Sequence, residues 1–117
     1  MSKDHFISNF KTFVLSLLVM LLSKQVAGQE VGLLKYSGGG DWYSNPTALP
    51  NLIRFSNAEI NTRIAPQPVT VTVGGTEIFN DPYVHMTGHG NVVSSEEEAA
   101  NLSTYLLAGG FLHIDDN

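Results

Sequence analysis

Short apolar segments of the kind that form strands alternate with helical segments along most of this chain. The clearest strand is residues 69–73 (VTVTV), where β-branched residues run without interruption. Residues 49–57 and 95–108 instead carry apolar side chains at helical spacing. The other strand-like segments are residues 31–36, 83–87 and 111–114. This order of strands and helices predicts an α/β fold with a doubly wound, mostly parallel sheet and right-handed crossovers.

The segment at residues 95–108 has the most complete helix-end signals. Ser94 or Ser95 can cap its start, with a glutamate three residues later to close a capping box. The run Glu96–Glu98 also places negative charge at the positive end of the helix dipole. Gly109-Gly110 then supplies a left-handed ending. The glutamate run therefore indicates a helix start rather than a metal site.

The N-terminal residues have the order of a secretory signal: basic, then apolar, then small. Lys3 and Lys11 precede the apolar residues 13–22, and Val26–Gly28 offers small residues to a signal peptidase. A retained membrane anchor is the alternative, but a spanning helix needs roughly 20 apolar residues. We expect residues 1–28 to be a signal peptide and the protein to be exported, to the periplasm or the outside of the cell envelope.

Charge and cysteine content exclude two classes of function. Beyond residue 28 the chain has three basic and ten acidic residues, a net charge of −7. An acidic surface repels phosphate backbones, so we expect no nucleic-acid partner. The sequence has no cysteine, which excludes disulfides and a thiol nucleophile.

The predicted domain, residues 29–117, ends soon after its last strand. No closing helix follows residues 111–114, and an uncovered edge strand is poorly protected. We therefore interpret these residues as a truncated sheet, the N-terminal part of a larger α/β domain. Such a small unit has little stability in reserve.

Four segments carry a family resemblance. They are Tyr36–Tyr43 (YSGGGDWY), Leu49–Arg54 (LPNLIR), Met86–Gly90 (MTGHG) and Gly109–Asn117 (GGFLHIDDN). Together they resemble the domain-of-unknown-function 4159 family of bacterial exported proteins, from about Val31 to the last residue. The resemblance implies a flavodoxin-like sheet similar to class I glutamine amidotransferases and trehalose-utilisation-type proteins.

Two features of the resemblance limit what it implies. Amidotransferases use a cysteine at a strand-to-helix elbow, and this chain has none, so their chemistry does not carry over. The family's domain also continues beyond Asp115-Asp116-Asn117, which leaves the chain with the N-terminal half. In longer relatives the domain accompanies membrane-associated components, and this implies an interaction role at the envelope.

Residues that follow different strands would meet at one edge of a parallel sheet. Ligands of open α/β sheets bind beyond the carboxyl ends of the strands. Asp41 follows the first strand, His89 follows the third, and Asp115 follows the fourth. We predict a ligand site at this edge, formed by Gly40, Asp41, Trp42, Gly88, Gly90 and Asp116.

Each candidate group at this edge also has a structural interpretation. Gly38–Gly40 has backbone N–H groups for an anion, but Asp41 would oppose a phosphate, which favours a tight turn that presents Asp41 and Trp42. Trp42-Tyr43 suits either stacking on a sugar or packing in the core.

His89 and Asp115 are the candidate catalytic residues and the candidate ligands of a divalent metal. Imidazole and carboxylate groups serve either purpose. His89, set between two glycines, is otherwise a loop histidine bonded to the backbone, and Asp115 otherwise caps the next element. We expect His85 and His113, which lie within strands, to be packed.

The sequence does not identify a reaction. Its leading hypothesis is an exported, cysteine-less, amidotransferase-like domain that binds a ligand or partner, either a cell-envelope protein or a glycan. The alternative is a hydrolase, with or without a metal, that acts on a glycan or amide. The missing C-terminal half would then complete its site.

Overall fold

The computed structural model of the chain describes residues 2–22 and 28–116. Its helices are α1 (Ser2–Leu22), α2 (Ala48–Glu59) and α3 (Glu96–Leu107), with a short 3₁₀ helix at Glu77–Asn80. Its strands are β1 (Gly32–Lys35), β2 (Val69–Thr72), β3 (Tyr83–Gly88) and β4 (Phe111–Asp116). Across these ranges, no helix has the length and hydropathy required to cross a membrane.

The four strands form one parallel sheet in the order β2-β1-β3-β4. The predicted α/β class and parallel pairing are therefore confirmed, with α3 connecting β3 to β4 as expected. This order is consistent with a flavodoxin-like arrangement. The predicted signal peptide coincides largely with α1, whereas its cleavage signal falls mostly on residues outside the described part.

One face of the sheet packs against α3. Alternate strand residues point to the same face, and on this face they are apolar: Leu34 and Val84 are almost completely buried. Tyr105 of α3 closes the cluster. The core of the domain lies here because each of the first three strands places at least one buried side chain on this face.

The opposite face packs against α2 along part of its length. Leu49 and Ile53, one helical turn apart, are the buried residues of α2. They pack with Val31, and Leu33 and Tyr83 contact the same cluster. This second cluster is smaller and contains no residue of β4, whose Phe111 and His113 are exposed.

The start of α3 shows the predicted capping box. The backbone N–H of Glu98 donates to Ser95 Oγ at 3.1 Å, and the N–H of Ser95 donates to Glu98 Oε2 at 2.9 Å. Ser37 Oγ donates to the other Glu98 oxygen at 2.8 Å. These donors, Ser95 first, lower the pKa of Glu98. The glutamate run is therefore the first turn of a helix, as predicted.

Candidate functional site

Two glycine-rich loops meet at the carboxyl edge of the sheet because their strands, β1 and β3, are neighbours. The N–H of Val93 donates to the carbonyl of Gly38 at 3.1 Å. Gly39 has a φ of +87°, and a Cβ there would lie 1.5 Å from the carbonyl oxygen of Asn91. The glycines thus allow two backbones to approach closely, and we refer to residues 38–40 and 88–93 as the paired loops.

A buried tyrosine supports the paired loops from below. Tyr36 Oη donates to the carbonyl of Thr87 at 3.0 Å. A Cβ on Gly88 would lie 2.1 Å from this hydroxyl, and one on Gly40 would lie 2.8 Å from it. Burial, and to a smaller extent the charge of Asp41, raises the pKa of Tyr36, which remains a neutral donor at physiological pH.

Asp41 and His89 form a direct pair across the paired loops. The backbone N–H of His89 donates to Asp41 Oδ1, and His89 Nδ1 lies 3.2 Å from Asp41 Oδ2. The backbone hydrogen bond is the main cause that lowers the pKa of Asp41. The predicted convergence of these two side chains is therefore present.

The pair presents imidazole to solvent. The side chain of His89 is 63% exposed and that of Asp41 is 36% exposed. A carboxylate at Nδ1 favours the tautomer in which that nitrogen carries the proton, and this leaves Nε2 with a lone pair. The arrangement suits hydrogen bonding to a ligand or proton transfer.

Asp115 lies on the neighbouring strand, where the register places it opposite Thr87. Across residues 2–22 and 28–116, no three His, Cys, Asp or Glu side chains are grouped so as to hold a metal ion. The pairing of His89 with Asp115 on a metal stays a prediction. Asp116 belongs to β4 by its backbone, and its side chain lies outside the described part of the chain.

Trp42 and Tyr43 differ in burial and in their contacts. Trp42 is half-buried against the core that α3 covers, and Lys35 Nζ lies 5.6 Å from the centre of its ring, within range of a cation–π interaction. The ring of Tyr43 meets that of Trp42 edge-on, with 5.6 Å between the ring centres. Tyr43 is 64% exposed. An exposed aromatic ring is therefore present two residues after Asp41 in the chain.

The sequence of this chain matches a known family. The sequence matches the family described as Domain of unknown function (DUF4159) over residues 30–117. The chain belongs to this family. A search of curated proteins finds no match.

The DUF4159 domain also brings together two histidines that the sequence analysis did not associate. His85 is buried, as predicted, whereas the side chain of His113 is exposed, so the prediction that His113 is packed is wrong. The reason is that β4 lies at the sheet edge beyond α2. His85 Nδ1 and His113 Nδ1 are 3.2 Å apart, and Tyr83 Oη lies 2.7 Å from His113 Nδ1.

A sequence signal for this cluster exists. Tyr83-Val-His85 and Phe111-Leu-His113 share the spacing aromatic-x-histidine, and parallel pairing in register sets the two histidines side by side. Burial, with a smaller effect from His113, lowers the pKa of His85, while Asp115 opposes that shift. The Nε2 atom of His85 is buried and has no hydrogen-bond partner among the described residues.

A groove of about 280 Å³ lies at the opposite, amino edge of the sheet. Leu52 and Ile53 of α2 line it together with Val31 and Tyr83. Its walls are mainly apolar, and it is remote from the Asp41–His89 pair because β1 and β3 begin where it opens. The groove therefore does not belong to the candidate site.

Proposed function

We propose that this DUF4159 domain is a ligand-binding module of the bacterial cell envelope and that its ligand binds at the carboxyl edge of the sheet. The observation that carries the proposal is the Asp41–His89 pair, held in place by the paired loops. A carboxylate kept charged by donors and an exposed imidazole form a polar recognition surface. Ligands of open α/β sheets bind at this edge.

A glycan is the ligand class that fits this surface best. Tyr43 follows Asp41 by two residues, and its exposed ring provides a face for a sugar ring. Asp41 accepts hydrogen bonds from hydroxyl groups, and His89 can accept or donate. The net charge of −7 beyond residue 28 disfavours anionic polymers, so the proposed ligand is a neutral or N-acetylated oligosaccharide.

Export and the amidotransferase-like fold belong to the same proposal. The basic and apolar order of residues 3–22 supports export, and large apolar side chains of α1 such as Phe6 and Phe13 are exposed rather than packed. The parallel sheet order supports a fold similar to class I amidotransferases. Because the chain lacks cysteine, the proposal excludes glutamine hydrolysis through a thiol.

Trp42 makes the proposal testable without a label, because it is the one tryptophan of the chain. Soluble neutral and N-acetylated oligosaccharides should be titrated while the fluorescence of Trp42 is recorded. We expect saturable changes that Asp41→Asn weakens by about tenfold or more, the effect of losing a hydrogen bond to a charged group. Tyr43→Ala should weaken binding as well.

Glu59→Gln is the matched control, because it also removes an acidic group but lies at the far end of α2. Its titrations should equal those of the unaltered chain. Absence of any saturable change across the oligosaccharides would reject the glycan proposal. Equal weakening by Glu59→Gln and Asp41→Asn would place the binding elsewhere.

A hydrolase that acts on a glycan or amide is the second candidate. The observation in its favour is the contact of Asp41 with His89 Nδ1, since a carboxylate that orients imidazole is an arrangement of general acid–base catalysis. Release of reducing ends or amines from the same oligosaccharides would support it. That release should disappear in His89→Ala, whereas binding without release favours the module.

A further inference from the structure

We propose that His85 and His113 form a binding site for a divalent transition metal between β3 and β4, at the edge of the sheet face that α2 partly covers. The proposal is independent of the glycan site, because these residues lie within β3 and β4 rather than in the paired loops. Imidazole nitrogens suit zinc, copper and nickel, whereas magnesium and calcium prefer oxygen ligands. The site would therefore take a zinc-like ion.

The spacing of the two nitrogens fits a chelate. His85 Nδ1 and His113 Nδ1 are 3.2 Å apart. Two nitrogens bound to one tetrahedral zinc at 2.0–2.1 Å are roughly 3.3 Å from each other. The parallel register of β3 and β4 sets the two residues side by side, so a metal would find both ligands already close to their required separation.

The protein alone satisfies these groups poorly. Tyr83 Oη and His85 Nδ1 both approach His113 Nδ1, at 2.7 Å and 3.2 Å. A ring nitrogen has one in-plane valence, either an N–H or a lone pair, and it cannot serve both partners with good geometry. A metal ion would resolve the conflict by accepting a lone pair from each imidazole, and Tyr83 Oη lies close enough to contribute a third donor.

His85 and His113 differ in burial, and therefore in how rigidly each ring is held and how easily an ion reaches it. His85 is 4% exposed, so packing holds its ring in place before a metal arrives. The side chain of His113 is exposed, and its ring meets that of His85 at a centroid distance of 4.9 Å. An ion can therefore reach the pair from solvent through the β4 side, where water would complete its coordination.

Calorimetric titration of the full chain with zinc chloride tests the proposal. We expect one zinc per chain, with affinity lowered about tenfold or more in His113→Ala, since even indirect supports of a metal ligand are worth that much. His113 is exposed, so this variant should keep its fold, which circular dichroism would verify. His85→Ala should lose binding too.

His89→Ala and His5→Ala are the matched controls, because they remove the other two histidines of the chain. Both should bind zinc as the unaltered chain does. Imidazole nitrogen shifts in NMR spectra should change for His85 and His113 on zinc addition. The proposal is overturned if the unaltered chain binds no more tightly than His113→Ala, or if His89→Ala alone abolishes binding.

Discussion

At the carboxyl edge of the sheet, the buried Tyr36 donates to the carbonyl of Thr87; at the amino edge, the buried Tyr105 donates to the carbonyl of Asp81 at 2.8 Å. Each tyrosine also lies where an adjacent glycine has no side chain, Gly88 in one case and Gly110 in the other. At each edge, therefore, a buried tyrosine hydroxyl holds the backbone by the same kind of hydrogen bond.

The aspartates at these edges differ in their surroundings. Asp41 is half-exposed and accepts hydrogen bonds from His89, and its pKa is lowered. Asp81 is 3% exposed, its Oδ1 has no partner among the described residues, and burial, helped by the charge of Glu30, raises its pKa. The same kind of backbone hydrogen bond therefore accompanies a buried carboxyl group at the amino edge and a more exposed, charged one at the carboxyl edge.

Replacement of a glycine by alanine should give the largest difference between the two edges in the free energy of unfolding. Gly39 and Gly109 both have left-handed φ values, +87° and +97°, but a Cβ on Gly109 would meet nothing within 4 Å. Gly109→Ala should cost about 1–2 kcal/mol of backbone strain. Gly39→Ala adds a clash with the carbonyl of Asn91 and should cost about 3 kcal/mol or more. Urea unfolding measures both, and equal losses would show that the paired loops are not tightly packed.

Removal of the two tyrosine hydroxyls should have a moderate effect at both edges. Tyr36→Phe and Tyr105→Phe should each lower the free energy of unfolding by about 1 kcal/mol, the usual net value of a buried hydrogen bond. Tyr43→Phe, at an exposed position, should change it by less than about 0.5 kcal/mol. If only one of these two substitutions lowered the free energy of unfolding, the two edges would not be held in the same way.

The smallest expected effect is on the pH dependence of stability. The raised pKa of Asp81 favours the folded state below the ordinary value of 3.8, and this contribution is lost as pH rises through the folded-state pKa. Asp81→Asn should therefore remove a decline in stability that begins as the pH rises above about 3.8. The lowered pKa of Asp41 acts oppositely: its contribution is present above 3.8 and lost as pH falls through the folded-state pKa.

Asp41→Asn should accordingly flatten stability on the acid side alone. Urea unfolding of both variants from pH 3 to pH 7 would compare the two windows. If the two substitutions altered the same pH range, the contrast between the aspartates would be wrong.

Local patterns predicted most of the fold, because its elements depend on nearby residues. The capping box at Ser95 and Glu98 and the β-branched run of β2 are signals of this kind, and both predictions are confirmed. The predicted bounds of β4 were two residues short. The 3₁₀ helix at Glu77–Asn80 was not predicted, since a single turn leaves little periodicity to detect.

The candidate site was harder to predict from the sequence than the fold, because it depends on pairing between residues that are distant along the chain. Parallel strands sufficed to bring Asp41 and His89 to one edge. The contact between His85 and His113 requires the register of β3 and β4, which no local pattern specifies. The burial of Asp81 likewise depends on tertiary packing, which the residues around it in the sequence do not specify.

The paired loops have a consequence for the order in which the chain folds. Asp41 and His89 are 48 positions apart, so their contact forms only after β1 and β3 have closed a long loop of chain. The capping box of α3 spans three positions and can form early. We expect substitutions at the candidate site to accelerate unfolding and to leave the folding rate nearly unchanged. A ligand that binds at this edge would then chiefly lower the rate of unfolding.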